Sequence, residues 1–548
     1  MMRHKAFNIF LCLVFLFSIV LIADDDNCSN FLVTKGASKD GSVMITYTCD
    51  GEFLPHLEYM PAADHKEDEF IEIKGWRGEV RGRVKQVPHT YAVVGLMNEF
   101  QVAIGETTFG GQPECRNPDG LLHYFTMMEL TLQRAKTARE AVETMAALVE
   151  EYGYASTGES FSIADKNEAW IMEMIGPGKG GKGAYWVALR IPDGYICAHA
   201  NMSRIGEFPM DDPENCIYSK DIVSFAQKMG FYDPKSGKPF SFRYAFDPPK
   251  PESLRTCAAR VWSMFRRNAP SLNLSPDFQR GVKGAKPYPL WIKPDEKLSV
   301  HDVMQTMRDH YEGTDFDMTK GIDAGPFGCP VRYRGLTWEV DGVKYSWERP
   351  ISTQQTGFSF VSQSRDWLPD AIGGVYWYGV DDTYTTCYVP LYCCIQDLPH
   401  PFTVGDIQKF SWDSAWWVFN FVANFANLKY SYMIEDILKV RDAQEGQFLS
   451  LQPVIEETAG ELYKKDPELL VQYLTNYSVT QGEMVVKRWI ELGEYLITKY
   501  NDGYVKDERG RPRGVGYPSE WLQKVLKLKP DQFKLPTWGE EKKDGRLH

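Results

Sequence analysis

The 548-residue chain sets 61 Lys and Arg against 74 Asp and Glu, a formal charge of −13, with 43% hydrophobic and 25% charged residues. That balance describes a globular protein and excludes the basic, aromatic-interleaved surface that grips nucleic acid. An aromatic share of 14% points to a well-filled core and a ring-lined cleft, and the length exceeds one ordinary domain.

The chain opens with a short basic segment, Met1-Met2-Arg3-His4-Lys5, followed by a nearly unbroken apolar run from Ala6 to Ile22 and the small residue Ala23. This order predicts a secretory signal peptide over 1–23 and export to the periplasm or extracellular space of a bacterial-type cell. No membrane insertion is expected after cleavage. The competing reading is a retained anchor, since the run is about as long as a bilayer-spanning helix. Residues 24–27, Asp-Asp-Asp-Asn, form an acidic spacer before Cys28.

From Cys28 to residue 403 the pattern predicts one catalytic domain. Ser29–Thr34 and Val43–Tyr47 read as strands joined through the Asp-Gly turn at Asp40-Gly41, a hairpin that begins at Cys28. A second β region runs from Tyr91 to Phe109. Leu121 to Tyr152 has a helical period, with a capping-box pattern at Thr137 and Glu140 and a stop at Gly153. Short strands follow at Ser160–Ala164, Ala169–Met174, Ala184–Leu189 and Tyr195–Ala200, separated by Gly-rich turns as in an antiparallel meander. A helix is predicted around Arg255–Arg267 and further strands between Tyr333 and Tyr392. Residues 404–500 read as mainly helical and 501–548 as a polar tail. This alternation of β and α blocks argues an α+β fold rather than a doubly wound parallel sheet.

Several chemistries are absent from the pattern. There is no His-Glu-x-x-His zinc motif and no Gly-x-Ser-x-Gly elbow, and the eleven cysteines show neither zinc spacing nor a small-domain disulfide ladder. The run Gly176-Pro-Gly-Lys-Gly-Gly-Lys-Gly183 imitates a phosphate loop, but it lies between two predicted strands and lacks the Ser or Thr that follows the lysine. It reads as a hairpin loop. No metal and no cofactor are expected. What remains is Cys28. A cysteine is a weak nucleophile until a base takes its proton, and a chain-terminal cysteine carries a base in its own α-amine, with a pKa of about 7.7–8.0. The plainer alternative is a buried or disulfide-bonded cysteine.

The segment Cys28-Ser-Asn-Phe-Leu-Val-Thr-Lys-Gly-Ala-Ser-Lys-Asp-Gly-Ser42 resembles the start of the C69 dipeptidase family. The similarity continues through Gly95–Gly111, Arg190–Asn201, His310–Thr314, Thr356–Arg365 and Asp413–Trp417. The resemblance implies an αββα sandwich of two antiparallel sheets, the N-terminal-nucleophile hydrolase fold, with additional C-terminal helices. It also implies a thioester mechanism on Cys28. Asp50 matches the acidic residue that contacts the nucleophile's amine, and Asn201 matches an asparagine that stabilises the oxyanion or orients the amine. Arg260 matches a second active-site arginine. Two departures stand out. Tyr47 occupies a position where many relatives carry arginine, which replaces a fixed charge by a neutral donor. Glu106-Thr107-Thr108 stands where the bile-salt hydrolase branch has an oxyanion asparagine, so Thr107 or Thr108 would offer only a hydroxyl or a backbone N–H. Glu106 is a candidate carboxylate for the substrate ammonium.

The sequence reading is therefore a secreted cysteine dipeptidase acting on dipeptides or short peptides. Two alternatives stay open: a linear-amide acylase of the bile-salt hydrolase or penicillin V acylase type, and a catalytically silent secreted binding protein of the same fold. Homo-oligomerisation is left open.

Overall fold

The computed structural model describes residues 28–75 and 78–535; the expected signal peptide 1–23 and spacer 24–27 lie outside the described residues. Two antiparallel sheets are built mainly from β1 (Asn30–Val33), β2 (Val43–Asp50), β3 (Ala103–Phe109), β4 (Gly158–Ala164), β5 (Ala169–Ile175), β6 (Tyr185–Arg190), β7 (Ile196–His199), β8 (Thr356–Ser364), β9 (Val375–Val380) and β10 (Val389–Tyr392). The first sheet has the order Trp291–Ile292, β7, β1, β2, β8, β9, β10. The second runs Cys216–Tyr218, β6, β5, β4, β3, then the short strands Met97–Asn98, Val93–Val94 and Tyr59–Met60. The chain is α+β.

The sheets lie face to face, with β1 and β2 against β3 and β4. Helices α1 (Tyr124–Leu132) and α2 (Ala138–Tyr152) pack on the second sheet, while α3 (Ala259–Asn268) and α4 (Val300–Thr306) pack on the first. Covering both faces of a sheet removes the usual apolar–polar alternation, because neither face meets water. Accordingly every residue of β2, β4 and β5 is buried. Two contacts fix the closeness of the sheets. A Cβ on Gly105 would lie 2.8 Å from Asn30 Nδ2 and 2.9 Å from the Tyr47 Cβ, so only glycine lets β3 approach β1 and β2 this closely. His199 bridges the interlayer through Thr107 and Ser162, each at 2.7 Å; burial pushes its pKa down to about 3, leaving a neutral ring.

The predicted hairpin is present, with Leu32 opposite Ile45, although β2 runs three residues further than expected, to Asp50. The helical period over 121–152 is carried by two helices, the second starting at the predicted Thr137 cap. The chain breaks at Gln133–Thr137, and Thr137 caps α2 by accepting the Glu140 N–H at 3.1 Å. The Glu140 carboxylate reaches back to the Lys136 N–H, one residue beyond the reciprocal box. Gly153 ends the helix with φ 79°. Gly176–Gly183 is indeed a hairpin loop, joining Ile175 to Tyr185 across antiparallel strands.

Beyond residue 404 the helical expectation is met by α5 (Ala415–Ala426), α6 (Tyr430–Lys465) and α7 (Pro467–Tyr500). Helices α6 and α7 form an antiparallel pair whose corner is made by Asp466, which caps Leu469 N, and by Pro467 in the first turn. The pair packs on β10. A buried two-pronged ion pair from Arg308 to Glu445, at 2.5 and 3.0 Å, ties α6 to the sheet domain. The tail carries a small hairpin, Val505–Lys506 with Pro512–Arg513, and a helix over Ser519–Leu528. Among the described residues no helix is long and apolar enough to cross a membrane.

Candidate active site

Cys28 sits immediately before β1 and is almost wholly buried, 3% exposed. Its Sγ lies 3.7 Å from Glu106 Oε1 and 4.0 Å from the Tyr47 hydroxyl. Tyr47 and Cys49 stand two residues apart on β2 and so face the same side. Tyr47 donates to Glu106 Oε1 in a short hydrogen bond. Cys28 is hydrogen-bonded to Cys49; that bond, burial and the nearby Glu106 charge hold the Cys28 thiol pKa well above its ordinary value. The resting sulfur is therefore a protonated thiol, and any chemistry at it needs a base.

The main chain of Cys28 is held from the other side by α3. Arg260, fully buried, donates to the Cys28 carbonyl at 2.5 Å, to Ser29 Oγ at 2.9 Å and to Asn201 Oδ1 at 2.9 Å. Asn201 in turn donates from Nδ2 to the Thr108 carbonyl at 2.7 Å. Asn201 follows the end of β7 at φ 51°, a left-handed conformation that asparagine tolerates better than most residues. That turn aims its amide at Arg260 and Thr108. Burial, then the charge of Arg349, lowers the Arg260 pKa to about 10, which leaves it cationic at neutral pH.

Asp50, at the end of β2, forms a short buried ion pair with Arg349 and accepts from Thr356 at 2.6 Å and Thr48 at 3.3 Å. Thr48 Oγ1 also accepts the Ser29 N–H at 3.0 Å, so Asp50 is coupled to the residue after Cys28 through one hydroxyl. Glu106 has no exposed surface. Its carboxyl lies beside that of Glu159 on the neighbouring strand β4, and burial raises the pKa of both. Glu159 further accepts from Thr108 at 3.2 Å and Tyr154 at 3.1 Å.

The structure thus brings Cys28, Tyr47 and Glu106 into one contact group and Asn201, Arg260 and the Thr108 carbonyl into another that touches the Cys28 main chain. The hydroxyls of the two threonines point elsewhere: Thr107 to His199 between the sheets, Thr108 to Glu159. Sequence reasoning missed Cys49, Glu159 and Arg349. Cys49 was readable from the two-residue spacing to Tyr47 on a strand; Glu159 and Arg349 are distant in sequence and reach the site only through pairing and folding. No group of three His, Cys, Asp or Glu among the described residues is arranged to hold a metal ion.

Similarity to known proteins falls on this same framework. The chain is 26% identical over 387 residues to a probable dipeptidase of Salmonella dublin, covering 67% of this chain and 80% of that one. It is 26% identical over 425 residues to a probable dipeptidase of Latilactobacillus sakei, covering 74% and 81%. A probable dipeptidase A of Streptococcus pyogenes serotype M3 matches over 436 residues at 26%, covering 75% and 85%. The model of peptidase family C69 matches residues 72–443, a span that includes Glu106, Asn201 and Arg260 but begins after Cys28, Tyr47 and Asp50. With more than half of its length matched, the chain belongs to peptidase family C69.

Proposed function

We propose that the protein is an exported cysteine dipeptidase of the N-terminal-nucleophile type, working through Cys28 once residues 1–27 have been removed. The observation that carries this reading is the placement of Cys28: a buried thiol at the start of the first central strand, with its carbonyl fixed by Arg260 and no histidine bonded to its sulfur among the described residues. The four layers of helix, sheet, sheet and helix support the same fold assignment, and the relatives named as probable dipeptidases support the substrate class.

In this mechanism the freed α-amine of Cys28 takes the thiol proton and the sulfur adds to the scissile carbonyl. The tetrahedral oxyanion needs neutral N–H donors; the resemblance assigns this role to Asn201, whose amide in this state donates to the Thr108 carbonyl. Collapse expels the amine of the leaving residue, which receives the proton from the Cys28 ammonium, and leaves a thioester. Water, deprotonated by the same amine, then releases the acid and restores the thiol. Tyr47 and Glu106 supply no fixed positive charge, so thiolate formation depends on the amine being neutral and close. Asp50 acts through Thr48 and the Ser29 N–H, holding the main chain that carries the amine.

The test is N-terminal sequencing of the exported protein combined with a substrate panel. A mature chain starting at Cys28 that cleaves dipeptides supports the reading. An active preparation still carrying Asp24–Asn27 overturns the free-amine mechanism, and preference for conjugated bile acids or penicillin V over dipeptides would move the assignment to the acylases.

A further inference from the structure

Cys28 and Cys49 stand across from one another on neighbouring strands. Ser29 bridges Thr48 in antiparallel register, and the pairing continues with Leu32 opposite Ile45 and Val33 opposite Met44. One step outward along the same register puts Cys28 opposite Cys49. The Thr48 N–H donates to the Ser29 carbonyl at 3.0 Å, so Ser29–Thr48 is a hydrogen-bonded position and the next one is not. Positions without hydrogen bonds bring side chains closest in an antiparallel pair, with Cα atoms about 4.5 Å apart. A disulfide spans Cα separations of about 4.4–6.8 Å.

The side chains agree with the register. Opposite residues project to the same face, and Cys28 touches Tyr47, two residues before Cys49. The two thiols are hydrogen-bonded to each other, and both are free. Arg260 holds the Cys28 carbonyl and Thr48 holds the Ser29 N–H, so the strands are already clamped side by side. A bond between the sulfurs then needs side-chain rotation rather than a shift of the backbone. Cys49 has no part in the mechanism proposed above.

A sulfur that reacts with peptides must be open to smaller reagents too, and hydrogen peroxide is smaller than any amide substrate. A sulfenic acid left alone goes on to the irreversible sulfinic acid, whereas one beside a second thiol condenses to a disulfide. We propose that Cys28 and Cys49 form a reversible disulfide when the protein meets a peroxide, so that Cys49 protects the reactive sulfur from irreversible oxidation. In the first step the peroxide O–O bond breaks. One oxygen goes to the Cys28 sulfur as a hydroxyl, the sulfur is oxidised by two electrons, and the other oxygen leaves as water with the thiol proton. In the second, the Cys49 sulfur bonds to the Cys28 sulfur and displaces the hydroxyl, which leaves as water with the Cys49 proton. While the bond lasts Cys28 has no thiol to offer. A dithiol reverses it by exchange and is itself converted to a cyclic disulfide. The cross-link concerns two sulfurs and stands whether or not the chain hydrolyses dipeptides.

Reduced protein is treated with hydrogen peroxide, the remaining thiols are alkylated, and the peptides are mapped by mass spectrometry. Mapping is needed because Cys393 and Cys394 are also neighbours. Wild type should give a cross-linked Cys28–Cys49 peptide, lighter by two hydrogens than its reduced halves together, and a dithiol should abolish it. Hydrolysis should fall in proportion to the cross-linked fraction and return with the dithiol. In Cys49→Ser the peptide carrying Cys28 should instead gain two oxygens as the sulfinic acid. Its loss of activity, referred to the variant's own untreated rate, should persist after the dithiol.

In wild type, Cys28 recovered as a sulfinic acid, as an unchanged thiol or bonded to another cysteine overturns the proposal. Full recovery of oxidised Cys49→Ser overturns it as well. The wild-type mapping needs neither turnover nor a folded variant. Absence of dipeptide hydrolysis would therefore end the peptidase reading without touching the disulfide.

Discussion

Two walls of the fold near Cys28 differ in how their polar groups are partnered. On the α3 side Arg260 is bonded to the Cys28 carbonyl and to Asn201, Asn201 to the Thr108 carbonyl, and Asp50 is paired with Arg349. On the α1 side Glu58 and Glu129 line a pocket with Phe125, Phe358, Tyr376 and Tyr378, and no Lys or Arg lines it. Groups that protein has already satisfied hold a geometry, whereas buried carboxyls without a partner shift their ionisation instead. The first wall is thus the positioning half of the site.

The comparison can be broken in four places. Cys28→Ala should lose at least about 10³-fold in kcat, the scale seen when a nucleophile is removed, while the protein stays folded. Thiol alkylation should have the same effect and a chelator none. Undiminished dipeptide hydrolysis in Cys28→Ala would end the cysteine mechanism.

Asp50→Asn should lower kcat by roughly 10²–10⁴-fold. It also leaves Arg349 buried beside a neutral amide, a change costing about 3–5 kcal/mol of stability when a buried pair is broken. With the carboxylate gone and Arg349 uncompensated, a cationic amine on Cys28 becomes less favourable, so the rising limb of the rate profile should move to lower pH. An unchanged rate and profile would reduce Asp50 to an anchor for Arg349 alone. Arg260→Gln tests the same wall more gently. It should reduce kcat by about 10- to 100-fold through misplaced Asn201 and Cys28 main-chain atoms, with KM affected less. Equal losses in KM and kcat would mean that Arg260 supports substrate binding rather than the positioning lattice.

The smallest effect concerns pH and belongs to the other wall. Glu58 and Glu129 titrate near 7 and 8. Because burial raises both, folding favours their protonated forms, and the protein should lose stability as pH rises from about 6 to 8, read as a fall in Tm. His56 faces the same pocket but its pKa is depressed by burial, so it stays neutral there and does not mimic the effect. A Tm that falls no further in wild type than in Glu58→Gln and Glu129→Gln across that window would mean that these carboxyls do not set the dependence.

Much of the second wall was invisible in the sequence, and the reasons are specific. Glu58 lies in irregular chain, and Glu129 occupies a helix whose other faces are buried; neither stands in any motif. The tail shows the reverse error of degree, because the polar composition after residue 500 hid a ten-residue helix, Ser519–Leu528. The helix start at Thr137, by contrast, was legible, because its cap pattern stands in the sequence.

By itself the sequence determined the α+β class, the hairpin that starts at Cys28, the loop character of Gly176–Gly183 and the α-helical region after residue 404. These follow from local turn chemistry, caps and hydrophobic period, which act over a few residues. The resemblance also picked out Cys28, Asp50, Asn201 and Arg260 before any coordinates. Tertiary structure alone decided which of these touch. Arg260 reaches Cys28 across 232 residues of sequence, Arg349 reaches Asp50 across 299, and the buried Glu106 and Glu159 carboxyls come together because β3 and β4 align Thr108 with Glu159. Such contacts depend on strand register and sheet packing, and burial then sets the ionisation that the chemistry needs.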